Sequence, residues 1–478
     1  MSASLDQQST INPDSRVRSP GRAIAVLASC GLLVSLVQTM VVPLLPAFPR
    51  LMSVSTSTAA WLVTATLVSG AVSAPVFGRL GDMYGKRRML LISIGLILVG
   101  SVLGAIAPNI LVLLIGRTLQ GVSFGVVALG MSLMRDILPE ERIGSAVGMM
   151  SASVGAGGAI GLPIAGAVSE WTDWRWLFAG AAVVAMLQIV LVRRLVAESP
   201  LRSGGRFDGA GAAGLGGILV CLLLGISKGA DWGWLSPTVI LLFVGAALMF
   251  AIWMNWELRA ASPIVDLRVS ARPAVLRTNL ATVLIGFSMF ATFVLATQIL
   301  QAPVVTGYGF GLSLIVSGLA LLPLGGCMVV FSSTSARMSR IYGPRLTLVF
   351  GTGLMAVGNI GFALLPGSVW ILVAVATVGA IGGALAYSAL PLLIMSAVPV
   401  TETAAANSLN TLMRQLGNST CTSVAAAVTS ALVVDAHGAS FPSGTAYSVV
   451  FTIAAVTAVG ALAVGLLTPA RRDDGGSL

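Results

Sequence analysis

Runs of about twenty apolar residues recur along this chain, the length an α-helix needs to cross the hydrocarbon core of a bilayer. Each run ends at a charge, a proline or a glycine, and fourteen can be read. They cover residues 23–45, 59–78, 89–107, 110–134, 143–168, 176–195 and 209–228, then 235–256, 276–299, 311–332, 345–365, 368–396, 404–433 and 445–468. Composition agrees: 56% of the 478 residues are apolar and 9% are charged, where a soluble chain carries roughly 25% charged residues. The expected fold class is therefore all-α integral membrane, with fourteen transmembrane helices.

An even number of crossings puts both ends on one side, and basic residues choose the side. With the termini in the cytoplasm, 22 of the 27 Lys and Arg residues fall in cytoplasmic segments. Only Arg50, Arg175 and Lys228 fall outside, and only Arg117 and Arg414 fall within spans. The net charge of +10 is thus an orientation signal and not a nucleic-acid footprint. Residues 1–22 and 469–478 are expected as cytoplasmic tails. The first apolar run is too long for a cleaved signal, so it is expected as the first span. Trp61, Trp171, Trp174, Trp176, Trp232, Trp234 and Trp370 lie near the expected outer interface, as an aromatic belt does. Cys30, Cys221, Cys327 and Cys421 sit in separate apolar runs and read as small packing residues. His437 falls in a polar stretch and reads as a loop residue. No metal site and no catalytic triad can be assembled, which leaves a multispan membrane enzyme as the weakest alternative.

The two halves repeat. At an offset of 258 residues, Arg79, Tyr84, Gly85 and Arg87 fall on Arg337, Tyr342, Gly343 and Arg345. Gly100, Pro108, Gly121 and Gly125 fall on Gly358, Pro366, Gly379 and Gly383. The offset spans eight helices, so the repeats share one orientation, an arrangement of parallel halves known among transporters. Residues 23–195 and 276–468 are expected as two six-helix bundles. Two extra helices lie in a linker, 196–275, between them.

Residues 78–87, GRLGDMYGKR, fit the pattern G-x-L-x-D-x-x-G-[RK]-[RK] through Gly78, Leu80, Asp82, Gly85, Lys86 and Arg87. This resembles the signature loop between helices 2 and 3 of the major facilitator superfamily. A second copy, SARMSRIYGPRL at 335–346, has Arg340 where the first has its acid. LLIGRTLQG, with Arg117, Gln120 and Gly121, resembles the helix-4 signature of the same superfamily. GGAIGLPIAGAV, with Gly157, Gly161, Pro163 and Gly166, resembles the helix-5 signature of its exporters, with Leu162 and Ala165 as departures. DWRWLF, FDGAGAAG, DWGW and AANSLNTLMRQLG resemble the fourteen-helix drug:proton antiporter branch. The resemblance implies export of amphipathic drugs or metabolites by alternating access from a bacterial cytoplasmic membrane, in exchange for protons. No bound cofactor is implied; the proton is the coupling ion, lipid and a small molecule are the partners, and a monomer is expected. An uptake symporter, or an exporter of one metabolite, remains the alternative.

Arginine in mid-membrane costs about 2.5–3.5 kcal/mol on insertion scales and faces protein, water or an interface. Arg117, with Gln120 one turn on, reads as a buried polar site or a snorkelling side chain; the resemblance implies a role in proton transfer. Arg414, beside Gln415, reads either as lining the transport path or as an interhelical bond. Gln38, Thr39, Gln188, Gln298, Gln301, Asn407, Asn410 and Asn418 are candidates for a central cavity or for interhelical glue. Glycines around Pro163 permit close packing, a kink, or both. The resemblance implies a proton-carrying acid in helix 1, but Val37 stands there, and none of the seventeen acids lies mid-span. Asp136, at the inner end of helix 4, is the nearest substitute. Asp82 is the acid a solvated basic loop leaves unexplained. It is expected to dock at the start of helix 13, after PVTET (399–403), where a helix N-terminus favours negative charge.

Overall fold

A computed structural model describes residues 20–468 except 42–43, 46, 205, 261–262, 365–366, 400–401 and 437–438. Most of both expected tails, and His437, lie outside the described residues. In chain order the helices are α1 (Pro20–Thr39), α2 (Phe48–Leu51), α3 (Thr56–Tyr84), α4 (Lys86–Ala105), α5 (Ile110–Gly121) and α6 (Phe124–Ile137). There follow α7 (Glu140–Trp171), α8 (Arg175–Leu195), α9 (Gly209–Trp232), α10 (Pro237–Arg259), α11 (Leu267–Ser270) and α12 (Pro273–Gln301). The second half has α13 (Leu314–Ala320), α14 (Leu322–Tyr342), α15 (Pro344–Ala363), α16 (Val369–Ala397), α17 (Thr403–Ala431) and α18 (Gly444–Leu467). Strands β1 (Val433–Ala436) and β2 (Ala439–Pro442) form a hairpin before α18.

Twelve spans among the described residues are long and apolar enough to cross a membrane, α5 and α6 together making one, and a thirteenth if residues 315–342 are taken as one span bent by 42°. The expected fourteen is not reached because α17 is too polar: its 29 residues include Asn407, Ser408, Asn410, Arg414, Gln415 and Asn418. The surface is that of a protein dissolved in lipid. Val183, Leu241 and Ile252 are each about 70% exposed, as large apolar side chains in water rarely are in contiguous sets.

Helix starts follow local chemistry. Ser55, Asn109, Asp208, Ser236, Ser313, Ser368 and Ser443 each accept a backbone N–H of the first turn, satisfying a donor that the helix itself leaves open. The repeated glycines mark where helices touch. A β-carbon on Gly100 would lie 2.5 Å from the Gly116 carbonyl, joining α4 to α5, and one on Gly358 would lie 2.8 Å from the Gly379 backbone, joining α15 to α16.

Four sequence expectations are corrected. The signature stretch is not a loop: α3 runs to Tyr84, α4 begins at Lys86, and Gly85 alone turns the chain at φ +114°. The second copy does the same, with Gly343 at φ +85° between α14 and α15. Lys228 is not in an outer loop; it lies within α9, buried, its ammonium 5.5 Å from the Trp61 ring centroid. Trp174 is not in the belt either, being packed edge-on between Phe48 and Phe178, while Trp171, Trp176 and Trp370 are well exposed.

Candidate functional site

The turn at Gly85 sets four elements around one buried charge cluster. Asp82, on the last turn of α3, accepts the backbone N–H groups of Ala404 (3.3 Å) and Ala405 (2.8 Å) at the start of α17. The contact spans 322 residues and joins the first bundle to the second. Lys86 spends its ammonium on Asp136 Oδ2 (2.6 Å), Thr403 Oγ1 (3.2 Å) and Asp82 Oδ1 (3.4 Å). Thr403 also pairs with Ser132 of α6 at 2.6 Å. Asp82 and Lys86 are at most 1% exposed. Such charges are stable out of water only when paired and hydrogen-bonded. Gly78 makes the approach possible: a β-carbon there would lie 2.2 Å from Ser408 Oγ and 2.8 Å from the Ala404 carbonyl.

Arg117 does not snorkel. It is 1% exposed, with Nε donating to the Leu62 carbonyl (3.2 Å) and Nη1 to the Val37 carbonyl (2.8 Å) and Gln120 Oε1 (2.7 Å). Gln120 in turn donates to Ser101 at 3.0 Å. The guanidinium therefore ties α1, α3 and α5 together through neutral acceptors. One of these is the backbone of Val37, where the family resemblance placed an acid.

Arg414 is held differently. Its guanidinium lies 5.4 Å from the centroid of the Tyr387 ring and makes no side-chain hydrogen bond or ion pair with any described residue. Both side chains stay partly accessible. Tyr387 sits at the seam between bundles, its carbonyl accepting Ser151 Oγ of α7 at 3.5 Å. The side-chain amides of Gln415 and Asn418 pair at 3.0 Å.

Comparison with known proteins settles the lineage. Residues 27–422 match the Major Facilitator Superfamily. The chain belongs to that superfamily. It is 33% identical over 348 residues to the puromycin resistance protein pur8 of Streptomyces alboniger, covering 72% of this chain and 67% of that one. It is 30% identical over 356 residues to the tetracenomycin C resistance and export protein of Streptomyces glaucescens, covering 72% and 64%. The chain spans about half the length, 46%, of the Mycobacterium tuberculosis MFS-type transporters that it matches at 30% identity. In fold it is similar to the human organic anion transporter MFSD10, with a TM-score of 0.68 at 16% identity over 93% of this chain and 99% of that one.

In this superfamily member the helix-5 signature acts at three contacts. A β-carbon on Gly157 would lie 2.7 Å from the Leu32 carbonyl, and one on Gly161 2.1 Å from Thr39 Oγ1, so α7 lies close on α1. Pro163 faces Gly318 of α13 in the other bundle, whose β-carbon would lie 2.8 Å from the proline ring. Gly166 is buried on the same helix. Thr39 is thus a packing residue.

The cavity candidates divide. Gln188 is glue, donating to Ser29 (2.9 Å) and accepting from Cys30 (3.4 Å). Asn410 is glue as well, donating to Asn279 (3.0 Å) and Thr282 (2.7 Å) of α12. Gln298 is exposed and lies 3.4 Å from the Tyr447 hydroxyl. Asn407 and Gln301 each bury an amide nitrogen with no hydrogen-bond partner among the described residues, and Gln38 is partly exposed.

Sequence reasoning missed the segment after α8. Glu198 accepts the backbone N–H groups of Arg87 (2.9 Å) and Arg88 (3.1 Å), closing the start of α4. Ser199 donates to Asp136, and Ser203 N–H donates to the Asp82 carbonyl at 2.7 Å. The available signal was one acid in the stretch that holds Arg193, Arg194 and Arg202.

Proposed function

We propose that this transporter exports small amphipathic molecules, drugs or metabolites, by proton antiport and alternating access. It works as a monomer in a bacterial cytoplasmic membrane, with both termini cytoplasmic. On this reading α17 is a crossing too, its polar residues shielded by α3, α6, α9 and α12, which brings the crossings to fourteen. Residues 23–195 and 276–468 are the moving halves, and α9 and α10 belong to the inserted linker.

The observation that carries the proposal is the Asp82 carboxylate seated on the first turn of α17. It is a buried, charged bond between bundles on the basic face, and it must break for that face to open. Resistance and export proteins among the relatives support outward transport. The proton route runs through Arg117, Gln120 and Asp136, or through a proton on the substrate or on water, because no span carries a central acid. Arg87 and the rest of the signature hold the basic side inward.

The test is efflux from a bacterial host stripped of its own pumps, with puromycin as first probe and an empty vector as control. Expression is expected to lower accumulation, and an uncoupler is expected to abolish the difference. Uphill efflux that persists under the uncoupler refutes antiport.

A further inference from the structure

Among the described residues, the membrane interior of this protein contains positive charge and no negative charge to match it. Buried carboxylates, among the residues whose side chains are described, are confined to the basic face: Asp82 two residues from the end of α3, Asp136 one from the end of α6, Glu257 two from the end of α10. Asp82 and Asp136 are spent on Lys86, and Glu257 accepts the N–H of Val265 at 2.7 Å. Deeper in, Arg117 is enclosed and engaged by the Leu62 and Val37 carbonyls and Gln120.

Arg414 is the exception. It lies eleven residues into α17, and Tyr387 lies ten residues from the end of α16, so both sit about 15 Å in from the basic face at 1.5 Å per residue. At that depth the guanidinium rests over the Tyr387 ring, partly accessible, with no acceptor among the described residues. Stacking on a ring leaves the N–H edge of the guanidinium free, and that planar fork matches a carboxylate in two parallel hydrogen bonds. An amphipathic cation entering this seam meets an uncompensated positive charge; an amphipathic anion supplies the missing acceptor. The ring beneath also offers an apolar face to the rest of such a molecule.

We propose that the cargo is an organic anion, its carboxylate or phenolate seated on Arg414 where that side chain stacks on Tyr387. The proposal rests on the export reading above and names its substrate class. Arg414 sets the charge preference, and Tyr387 positions its guanidinium.

The experiment measures equilibrium binding to the full chain in lipid nanodiscs, without any gradient. The anionic probes are fluorescein and salicylate; the cationic probes are rhodamine 123, which shares the xanthene skeleton of fluorescein, and ethidium. The anions are expected to bind and the cations to bind weakly. Arg414→Gln is expected to weaken anion binding about tenfold or more, the scale of a lost charge-assisted hydrogen bond, and to leave cation binding unchanged or improved. Arg414→Lys, which keeps the charge in case the first variant misfolds, is expected to retain the preference for anions. Equal or tighter binding of the cations by the unmodified protein overturns the proposal, as does absence of binding by both anions. Arg414-dependent anion binding in a protein that proves not to be proton-coupled removes the antiport reading and leaves this one standing.

Discussion

Asp82→Asn is the substitution that weighs the bond between bundles. It keeps the size of the side chain and one acceptor, and removes the charge. Two backbone N–H donors at 2.8 and 3.3 Å lose their charged acceptor. Hydrogen bonds to charged groups contribute about 1.5–3 kcal/mol against about 1 for neutral ones. The favourable placement of an anion at a partly buried helix N-terminus contributes up to about 2 kcal/mol. The lower cost of burying an amide instead of a carboxylate offsets part of this. A net loss of about 2 kcal/mol for the closed basic face follows, roughly a thirtyfold shift toward the open form. Hydrogen exchange at the Ala404 and Ala405 amides reads that shift directly, because those protons exchange when α17 leaves α3. The peptide covering them is expected to exchange about thirtyfold faster in Asp82→Asn. Asp208→Asn is the control: Asp208 also caps a helix, accepting Gly211 N–H at 2.8 Å within the insertion, and its loss should leave the Ala404 region unchanged. Exchange there within about twofold of the unmodified protein in Asp82→Asn would refute the reasoning, whatever happens to transport.

Three further outcomes are expected. Arg117→Ala strands the Val37 carbonyl and the Gln120 amide oxygen, at about 1–3 kcal/mol for each buried group left unpaired, while the Leu62 carbonyl keeps the Thr66 hydroxyl at 2.9 Å; transport should fall to background, and membrane extracts should show lower thermal stability with the protein still inserted. Gly85→Ala places a β-carbon 2.9 Å from Glu198 Oε2 at a φ of +114°, so the start of α4 should lose its acidic cap, and the melting temperature should drop by a shift matching about 1–3 kcal/mol. An exported monovalent anion gains about 2.3 kcal/mol per 100 mV of inside-negative potential, roughly a fiftyfold gradient; fluorescein efflux from proteoliposomes should accelerate when a potassium diffusion potential is imposed, and indifference to that potential would contradict export of net negative charge.

Much of this architecture was legible because a bilayer imposes a length. A run ended by Pro, Gly or charge has few meanings when every backbone group must be satisfied internally, so the long apolar helices could be located, although three ends were missed: α1 stops at Thr39 and not at 45, α3 runs on to Tyr84 past 78, and α14 runs on to Tyr342 past 332. The partner of Asp82 was legible for a related reason: a lone acid among bases needs a donor, and helix starts supply donors. Polar residues were a different matter. Gln188 and Asn407 look equivalent in sequence, but Gln188 meets Ser29 and Cys30 while the Asn407 amide nitrogen has no hydrogen-bond partner among the described residues. That difference belongs to the facing helix, about which a single periodic pattern carries no information. Lys228 was misplaced because its shielding ring, Trp61, is on another helix. Glu198 was invisible because the N–H groups it accepts lie 111 and 110 residues upstream.

The repeat carries one asymmetry that its own geometry explains. Gly85 and Gly343 make the same left-handed turn 258 residues apart, yet the position of Asp82 is taken by Arg340. The helix start that Asp82 meets, α17, has no acid in its first turn, whereas α7 begins with Glu140 and Glu141. Arg337 and Arg340 line a cleft of about 860 Å³ together with Arg135, Glu140 and Glu141, and no ion pair within 4.0 Å joins them among the described residues. Where α7 already compensates its own positive end, a second acid in the turn would face like charge; a base is the residue that fits. This seam is held instead by packing, with Met328 against Gly155 and Gly318 against Pro163. Arg340→Asp, which makes the two turns more alike in sequence, is therefore expected to loosen the closed face and not to lock it. Arg340 is exposed, so the effect is small, about 0.5–1 kcal/mol and screened by salt. Exchange of the amides at the start of α7 should rise a fewfold at low ionic strength and return to normal in high salt. A variant that exchanges more slowly than the unmodified protein would show that Arg340→Asp had gained the bond Asp82 makes, and that the charge of α7 does not decide the matter.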